Sequence, residues 1–227
     1  MTATIERLPT PSHDGAAGVA DYQRLLLELA TDLAARFDSV RLPLHILLEN
    51  RFGELNENQE EMLEAARVAA DVAGESVRRL RELAELGLGT LTLSPTRQRT
   101  EDVFRSIVSA IAASAERAGV QLMTSVEPPL PAIRVDGARV REALTLLATQ
   151  AVQRAVPGTS MRFAVGATAS EVTFRLDQPV SIGTIDARLA AALLAAQGAR
   201  LESTPHDTSV IFPVAAVDRL SPLISIV

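Results

Sequence analysis

The chain has 227 residues, 47% of them apolar and 22% charged, with a formal net charge of −6 and no cysteine. At roughly 100–200 residues per domain this makes one large or two small domains, and the composition excludes wholesale disorder. The missing cysteine excludes disulfides, thiolate metal sites and cysteine nucleophiles; the negative charge argues against nucleic acid; no apolar run approaches the roughly 18 residues of a membrane span. Aromatic residues are only 3%, so Leu, Val, Ile and Ala must build the core. The N-terminus carries Glu6 and Asp14 and lacks the basic-then-apolar order of a signal peptide. A cytoplasmic location without membrane contact is the expectation.

Residues 1–20, rich in Thr, Pro, Gly and Ala, read as a flexible tail. From Asp21, Leu26, Leu29, Leu33, Phe37, Val40, Leu44 and Leu47 recur at steps of three and four, the apolar stripe of a long helix. Pro43 inside it removes a backbone donor and predicts a kink. A second helix starts at Asn56, with Gln59 in capping-box position. Its stripe runs Leu63, Ala66, Ala70, Val77, Leu80 and Leu83 until Gly87 and Gly89. Each helix is on the order of 30 residues, about 45 Å, and the short connection makes an antiparallel hairpin. Two helices alone cannot bury faces this wide. A homodimeric four-helix bundle satisfies the pattern most simply; packing of the hairpin on the C-terminal half of the same chain is the alternative.

Ser94-Pro95 breaks the helical period. Beyond it the sequence predicts a helix over 100–118, a strand over 120–126, a helix over 137–155, paired strands over 161–165 and 172–176, a helix over 186–197 and a last strand pair over 201–203 and 209–214. Pro128, Pro129 and Pro131 predict an irregular segment. The order suggests a mixed sheet covered on one face by helices. The domain boundaries are therefore 1–20 (tail), 21–92 (hairpin), 93–217 (α/β domain) and 218–227 (a short apolar tail).

His13, His45 and His206 are scattered without metal-ligand spacing, so no metal is expected. There is no nucleophile elbow, P-loop or G-x-G-x-x-G. From motifs alone no enzyme emerges.

Two features remain: the proline-containing stretch Phe37-Asp38-Ser39-Val40-Arg41-Leu42-Pro43-Leu44-His45, and the succession of hairpin, linker and small α/β domain. Together they resemble the catalytic core of a sensor histidine kinase, a dimerisation and phosphotransfer hairpin followed by a Bergerat-type ATP-binding domain, over roughly residues 21–217. Val40-Arg41-Leu42-Pro43-Leu44 matches the second half of the family's His-Glu-Leu-Arg-Thr-Pro-Leu motif. The family histidine then falls on Asp38 and the following acid on Ser39. Val77-Arg78-Arg79-Leu80, Pro131-Ala132-Ile133-Arg134-Val135-Asp136 and Gln197-Gly198-Ala199-Arg200-Leu201 also match in character. The asparagines of the family's Asn-x-x-x-Asn box fall on Leu146 and Gln150. Asp177 is the only counterpart of the adenine-reading Asp, its glycines are absent, and no lid separates it from the last helix. Thr184, Ile185 and Asp186 stand where the phosphate-cradling glycines belong, and a carboxylate at that helix start repels a triphosphate.

The resemblance therefore implies an α+β chain: an antiparallel hairpin forming a dimeric four-helix bundle, then a Bergerat-type α/β sandwich without an ATP lid. Leu146, Gln150, Asp177 and Asp186 would mark a degenerate nucleotide site, with no cofactor and no metal. Architecture and size are similar to the ChpT type of histidine phosphotransferase, with Asp38 in place of its phosphohistidine. Asp38 reads either as a solvated carboxylate or as a fixed charge that imitates an occupied site. His45, one heptad on, lies about 10 Å along the same face; it is an exposed helix residue or a displaced phosphoacceptor. Arg41 is placed to pair with Asp38 at i, i+3. The expectation is a catalytically inactive signalling adaptor that binds itself and a response-regulator receiver domain or a histidine kinase, through Asp38, Ser39, Arg41, Leu42 and His45. The alternative is an active phosphotransferase using His45.

Overall fold

The computed structural model describes residues 15–49 and 53–214. The remaining tail residues, with His13 and the apolar C-terminal run, lie outside them. The chain divides into two units between Leu91 and Thr92.

The first unit is a hairpin of two long helices, α1 (Gly15–Leu48) and α2 (Glu57–Gly87). Helix α1 begins at Gly15, earlier than the composition suggested; Ala16 and Ala17 favour the helix, whereas Gly15 and Gly18 oppose it by about 1 kcal/mol each. It stays one helix through Pro43. The proline ring is exposed, so the carbonyl it leaves without a donor faces solvent. The capping box of α2 is formed: Asn56 Oδ1 accepts from Gln59 N at 2.9 Å, and Gln59 Oε1 accepts from Asn56 N at 3.0 Å.

The seam between the helices follows heptad spacing, and its buried positions are taken by small residues. On α1 the seam runs Gln23, Leu27, Ala30, Ala34, Phe37, Arg41, Leu44 and Leu48, with Ala30 fully buried. On α2 it runs Leu63, Arg67, Ala70, Gly74, Val77, Arg81 and Ala84, with Ala70, Gly74 and Ala84 buried. Gly74 faces Phe37: a Cβ on Gly74 would lie 3.8 Å from Phe37 Cβ, an ordinary contact distance, so the two positions are level in the antiparallel hairpin. Most of the stripe read from the sequence lies beside this seam, not in it. Leu26, Leu29, Leu33, Val40 and Leu47 are 42, 50, 40, 48 and 36% exposed. Helix α1 thus carries two adjacent apolar rows, and α2 covers one of them.

The second unit contains β1 (Thr96–Gln98), α3 (Thr100–Arg117), β2 (Gln121–Val126), β3 (Ile133–Val135), α4 (Gly137–Arg154), β4 (Ser160–Ala167), β5 (Glu171–Leu176), α5 (Ile185–Ala195), β6 (Arg200–Ser203) and β7 (Thr208–Pro213). Five strands form one sheet in the order β2-β4-β5-β7-β6. Strand β2 is parallel to β4 and the other pairs are antiparallel. Strands β1 and β3, neither of which the sequence predicts, make a separate antiparallel ribbon, β1 after Ser94-Pro95 and β3 after Pro131. Ile133 and Val135 anchor that ribbon in the core.

Alternation decides the faces. Met161, Phe163, Val165, Val172, Phe174, Leu176, Val210 and Phe212 are buried on the helix side. Phe104 of α3 meets Phe163 at 4.7 Å, Phe163 meets Phe174 at 6.4 Å and Phe174 meets Phe212 at 5.9 Å. The aromatic content is small, but four of the six phenylalanines form this one row across the sheet.

Asp136 caps α4. Its Oδ1 accepts from Ala138 N at 3.1 Å and Arg139 N at 3.2 Å, and its Oδ2 accepts from Ser94 N at 3.0 Å. Burial pulls the carboxyl upward, but the three backbone donors outweigh it and hold the pKa below the usual Asp value. A depressed folded pKa contributes stability that is present above the unfolded value, about 3.9, and lost as pH falls through the folded one. Asp136→Ala is therefore expected to cost about 1–2 kcal/mol at neutral pH. Asp136→Asn should lose part of the acid sensitivity below about pH 4. Superimposable pH–stability curves for wild type and Asp136→Asn would contradict this account of the cap.

Candidate functional site

The antiparallel register, in which Gly74 faces Phe37, brings Asp38, Arg41, Leu42 and His45 of α1 beside Arg67 and Asp71 of α2, around one groove in the hairpin surface. Arg41 holds a seam position, so its side chain reaches across. Its Nε lies 2.7 Å from Asp71 Oδ1, and its Nη1 lies 3.6 Å from Asp38 Oδ1. The expected Asp38 pair is thus the longer of the two contacts, because the seam points the guanidinium at α2. Arg67 Nη1 bonds Asp71 Oδ2 at 3.0 Å, and Arg67 is also paired with Glu64. Asp71 is gripped from both sides by guanidinium groups.

The Glu64 carboxyl is held below its usual range, first by its hydrogen bond to Arg67. The Arg67 guanidinium is pushed upward, by Glu64 first and Asp71 last. Arg78 is raised by its bond to Glu75, with Asp38 and Asp71 adding attraction. Leu42 is 61% exposed, an apolar tip inside a rim of alternating charges. His45 Nε2 lies 3.2 Å from Glu49 Oε1. Of the five residues singled out on α1, Ser39 does not join the groove; its hydroxyl donates to Arg36 O at 2.7 Å. Arg67 and Asp71 were missed by sequence reasoning. The available signal was Arg67 interrupting the apolar heptad of α2, with Asp71 one turn later.

In the second unit the positions of the suspected nucleotide site separate. Leu146 and Gln150 lie one turn apart on α4, both half-buried. Gln150 Nε2 donates to Thr184 Oγ1 at 2.8 Å. The same oxygen accepts from Ala187 N at 3.2 Å and caps α5. Asp186 follows in the first turn of that helix. Gln150 Oε1 is buried without a hydrogen-bond partner among the described residues. Asp177 lies on the other face of the sheet. Leu176 points inward, so its neighbour Asp177 points outward. Its Oδ1 accepts from Arg162 N at 2.7 Å, and it lines an outer groove with Ser125, Glu127, Arg162, Ala164 and Arg175. Gln150 and Thr184 thus meet, and Asp177 does not join them. Among the described residues no cluster of three or more His, Asp or Glu side chains is placed to hold a metal, and no helix is long and apolar enough to cross a membrane.

This geometry, a helical hairpin followed by a mixed sheet with helices on one face, is the fold of the histidine kinase core. Full-length ShkA, solved in complex with AMPPNP, is similar to this chain with a TM-score of 0.64 and 22% identity, over 82% of this chain and 45% of that one. The histidine kinase AdeS of Acinetobacter baumannii is similar with a TM-score of 0.57 and 12% identity, over 79% and 94%. This chain spans less than half the length of the ShkA chain. At these identities the likeness is one of fold. No family model and no curated protein sequence matches the chain.

Proposed function

We propose that this chain is a dimeric, catalytically inactive signalling adaptor of the two-component type, which binds a receiver domain or a histidine kinase on the outer surface of its hairpin. The observation that supports this reading most is the groove itself. Asp38 is ion-paired to Arg41, and the groove joins both, with Leu42 and His45, to Arg67 and Asp71; by the sequence resemblance, Asp38 would take the position of the family's phosphoacceptor histidine. A receiver domain docking a helix here finds an apolar tip ringed by charges of both signs, the pattern of helix-in-groove recognition. The second apolar row of α1 is the surface that a second hairpin would cover, closing a four-helix bundle.

Absence of ATP chemistry is part of the proposal. The position nearest a magnesium-binding asparagine is Gln150; its amide nitrogen donates to Thr184 Oγ1 of the α5 cap, and its Oε1, the atom a cation would take, is buried, with no cluster of His, Asp or Glu side chains among the described residues to complete a metal site. A phosphate at that helix start would meet Asp186 and displace Thr184 from its capping role. Asp177 faces the opposite side of the sheet from the helices. These residues do not fit a magnesium nucleotide. A ligand at a hundred times its Kd stabilises the folded state by about 2.7 kcal/mol. Mg-AMPPNP is therefore expected to leave the melting temperature unchanged, and a saturable rise of several degrees would contradict the proposal.

The binding reading is tested by immobilising the full chain and measuring retention of purified receiver domains and kinases. Arg41→Glu places a carboxylate against Asp71 and reverses the charge at the centre of the groove. Retention should fall about tenfold or more, the scale of one lost charge-assisted contact. Unchanged retention, with the hairpin's helicity intact, would move the interface elsewhere. The second reading, a phosphotransferase using His45, is favoured by one observation: the ring lies in the same groove, with Nε2 next to the Glu49 carboxylate.

A further inference from the structure

The five-stranded sheet has two edges, β2 and β6. Natural sheets guard such edges with charges, prolines or covering segments, because the unpaired backbone groups recruit other strands. Strand β6 follows that rule: Arg200 and Glu202 lie within its four residues. Strand β2 reads Gln121-Leu122-Met123-Thr124-Ser125-Val126 and carries neither charge nor proline. Gln121 N donates to Thr159 O and Glu127 N to Val165 O, on the β4 side. Strand bonding alternates, so Leu122, Thr124 and Val126 turn their N–H and C=O groups away from the sheet. Among the described residues no backbone group pairs with them.

The side chains of this edge match the same edge run in the opposite direction. An antiparallel copy of β2, related by a two-fold axis, has one register that uses every outward group. Thr124 lies on the axis, opposite Thr124 of the second copy, and Leu122 lies opposite Val126 of the second copy. An axis through Leu122 would set Val126 against Ala118, the C-cap of α3. An axis through Val126 would set Thr124 against Pro128, which has no N–H.

In the Thr124 register both faces of the sheet agree. Leu122 is level with Met161 and Thr124 with Phe163, both buried on the helix side. That face would carry leucine against valine at both ends and threonine against threonine at the centre. On the open face Gln121 would meet Glu127 of the second copy, an amide donor against a carboxylate, and Met123 would meet Ser125 of the second copy. No like charges stand opposite each other. Met123 and Val126 are 44 and 41% exposed in the single chain, apolar surface that this pairing covers. A two-fold contact requires a patch that is complementary to itself.

We propose that β2 pairs with β2 of a second copy of this chain, antiparallel about Thr124, and so joins two five-stranded sheets into one. The proposal is independent of the signalling reading, since it concerns only the second unit.

Cysteine crosslinking of the full chain tests it, because the chain has no cysteine of its own. In the proposed register the two Thr124 Cα atoms lie about 5.5 Å apart, within the roughly 4.4–6.8 Å that a disulfide spans. The two Gln121 residues lie about 20 Å apart along the strands. Under mild oxidation Thr124→Cys should therefore form a disulfide-linked dimer about tenfold faster or more than Gln121→Cys. Thr124 is exposed, so the substitution leaves the core intact. Amide hydrogen exchange gives the second readout. The outward amides of Leu122, Thr124 and Val126 should be protected in the wild type. Thr124→Lys sets two ammonium groups against each other on the axis and should remove that protection, while the β4-bonded amides of Met123 and Ser125 keep theirs. Equal crosslinking at the two positions, or outward amides that exchange freely in the wild type, would overturn the proposal. Protection that Thr124→Lys leaves unchanged would overturn it in favour of a different cover for this edge.

Discussion

Replacing Leu29 and Leu33 by aspartate is expected to break the dimer proposed above. Both side chains lie in the outer apolar row of α1 and are 50 and 40% exposed in the single chain. A complete bundle would remove that remaining surface from water. Full burial of a leucine contributes about 1.5–3 kcal/mol, so roughly half of that remains at each position. Two residues in two chains then contribute about 3–6 kcal/mol, a factor of roughly 10²–10⁴ in the dimer dissociation constant. Burying four carboxylates in their place adds to the loss. Sedimentation equilibrium measures it directly. A double variant that still dimerises with wild-type affinity would mean that this row is not the dimer contact.

Phe163→Ala is expected to cost about 3–5 kcal/mol of stability in the second unit, a large share of the roughly 5–15 kcal/mol a domain possesses. Phe163 is fully buried and lies in the middle of the aromatic row, between Phe104 and Phe174. Its loss opens a cavity at the junction of α3, β4 and β5. Few large side chains are available to fill it, because the surrounding helices are rich in alanine: Ala143, Ala148 and Ala151 of α4 are all fully buried. Urea unfolding followed on the second unit's transition would show the shift. A loss below about 1 kcal/mol would mean that the site collapses and the row does not organise the core.

How much of this was legible in the sequence differs from element to element. The hairpin was legible through its leucine steps and the Asn56–Gln59 capping box, and part of its seam, Phe37, Leu44, Leu63, Ala70 and Val77, lay in the stripes read from the sequence. Ala30, Ala34 and Gly74 did not, because they carry little hydropathy signal, and on α1 the stronger leucine row beside the seam stood in for them. The groove was legible by half. Asp38, Arg41, Leu42 and His45 lie on one helix and follow from spacing, whereas Arg67 and Asp71 arrive only through the antiparallel register, in which Gly74 faces Phe37. In the second unit the orientation of Asp177 was available in advance. The alternation Val172, Phe174, Leu176 already turns the next residue outward. The bond from Gln150 to Thr184 was not available, since it joins residues that only the packing of α4 on α5 brings together. The β1–β3 ribbon escaped for the same reason: three-residue strands have too few positions for alternation to show, and their pairing spans the whole of α3 and β2.

A hairpin that binds a signalling partner, as proposed, and relays no phosphate differs from a phosphotransferase in one property, the capacity to accept a phosphoryl group. The most direct measurement is transfer of labelled phosphate from phosphorylated receiver domains to the purified full chain, with wild type beside His45→Ala. Neither protein should carry acid-labile phosphate, while receivers are retained on both and released by Arg41→Glu. Label on the wild type that is absent from His45→Ala would contradict the proposed function and make the protein a phosphotransferase with a displaced acceptor histidine.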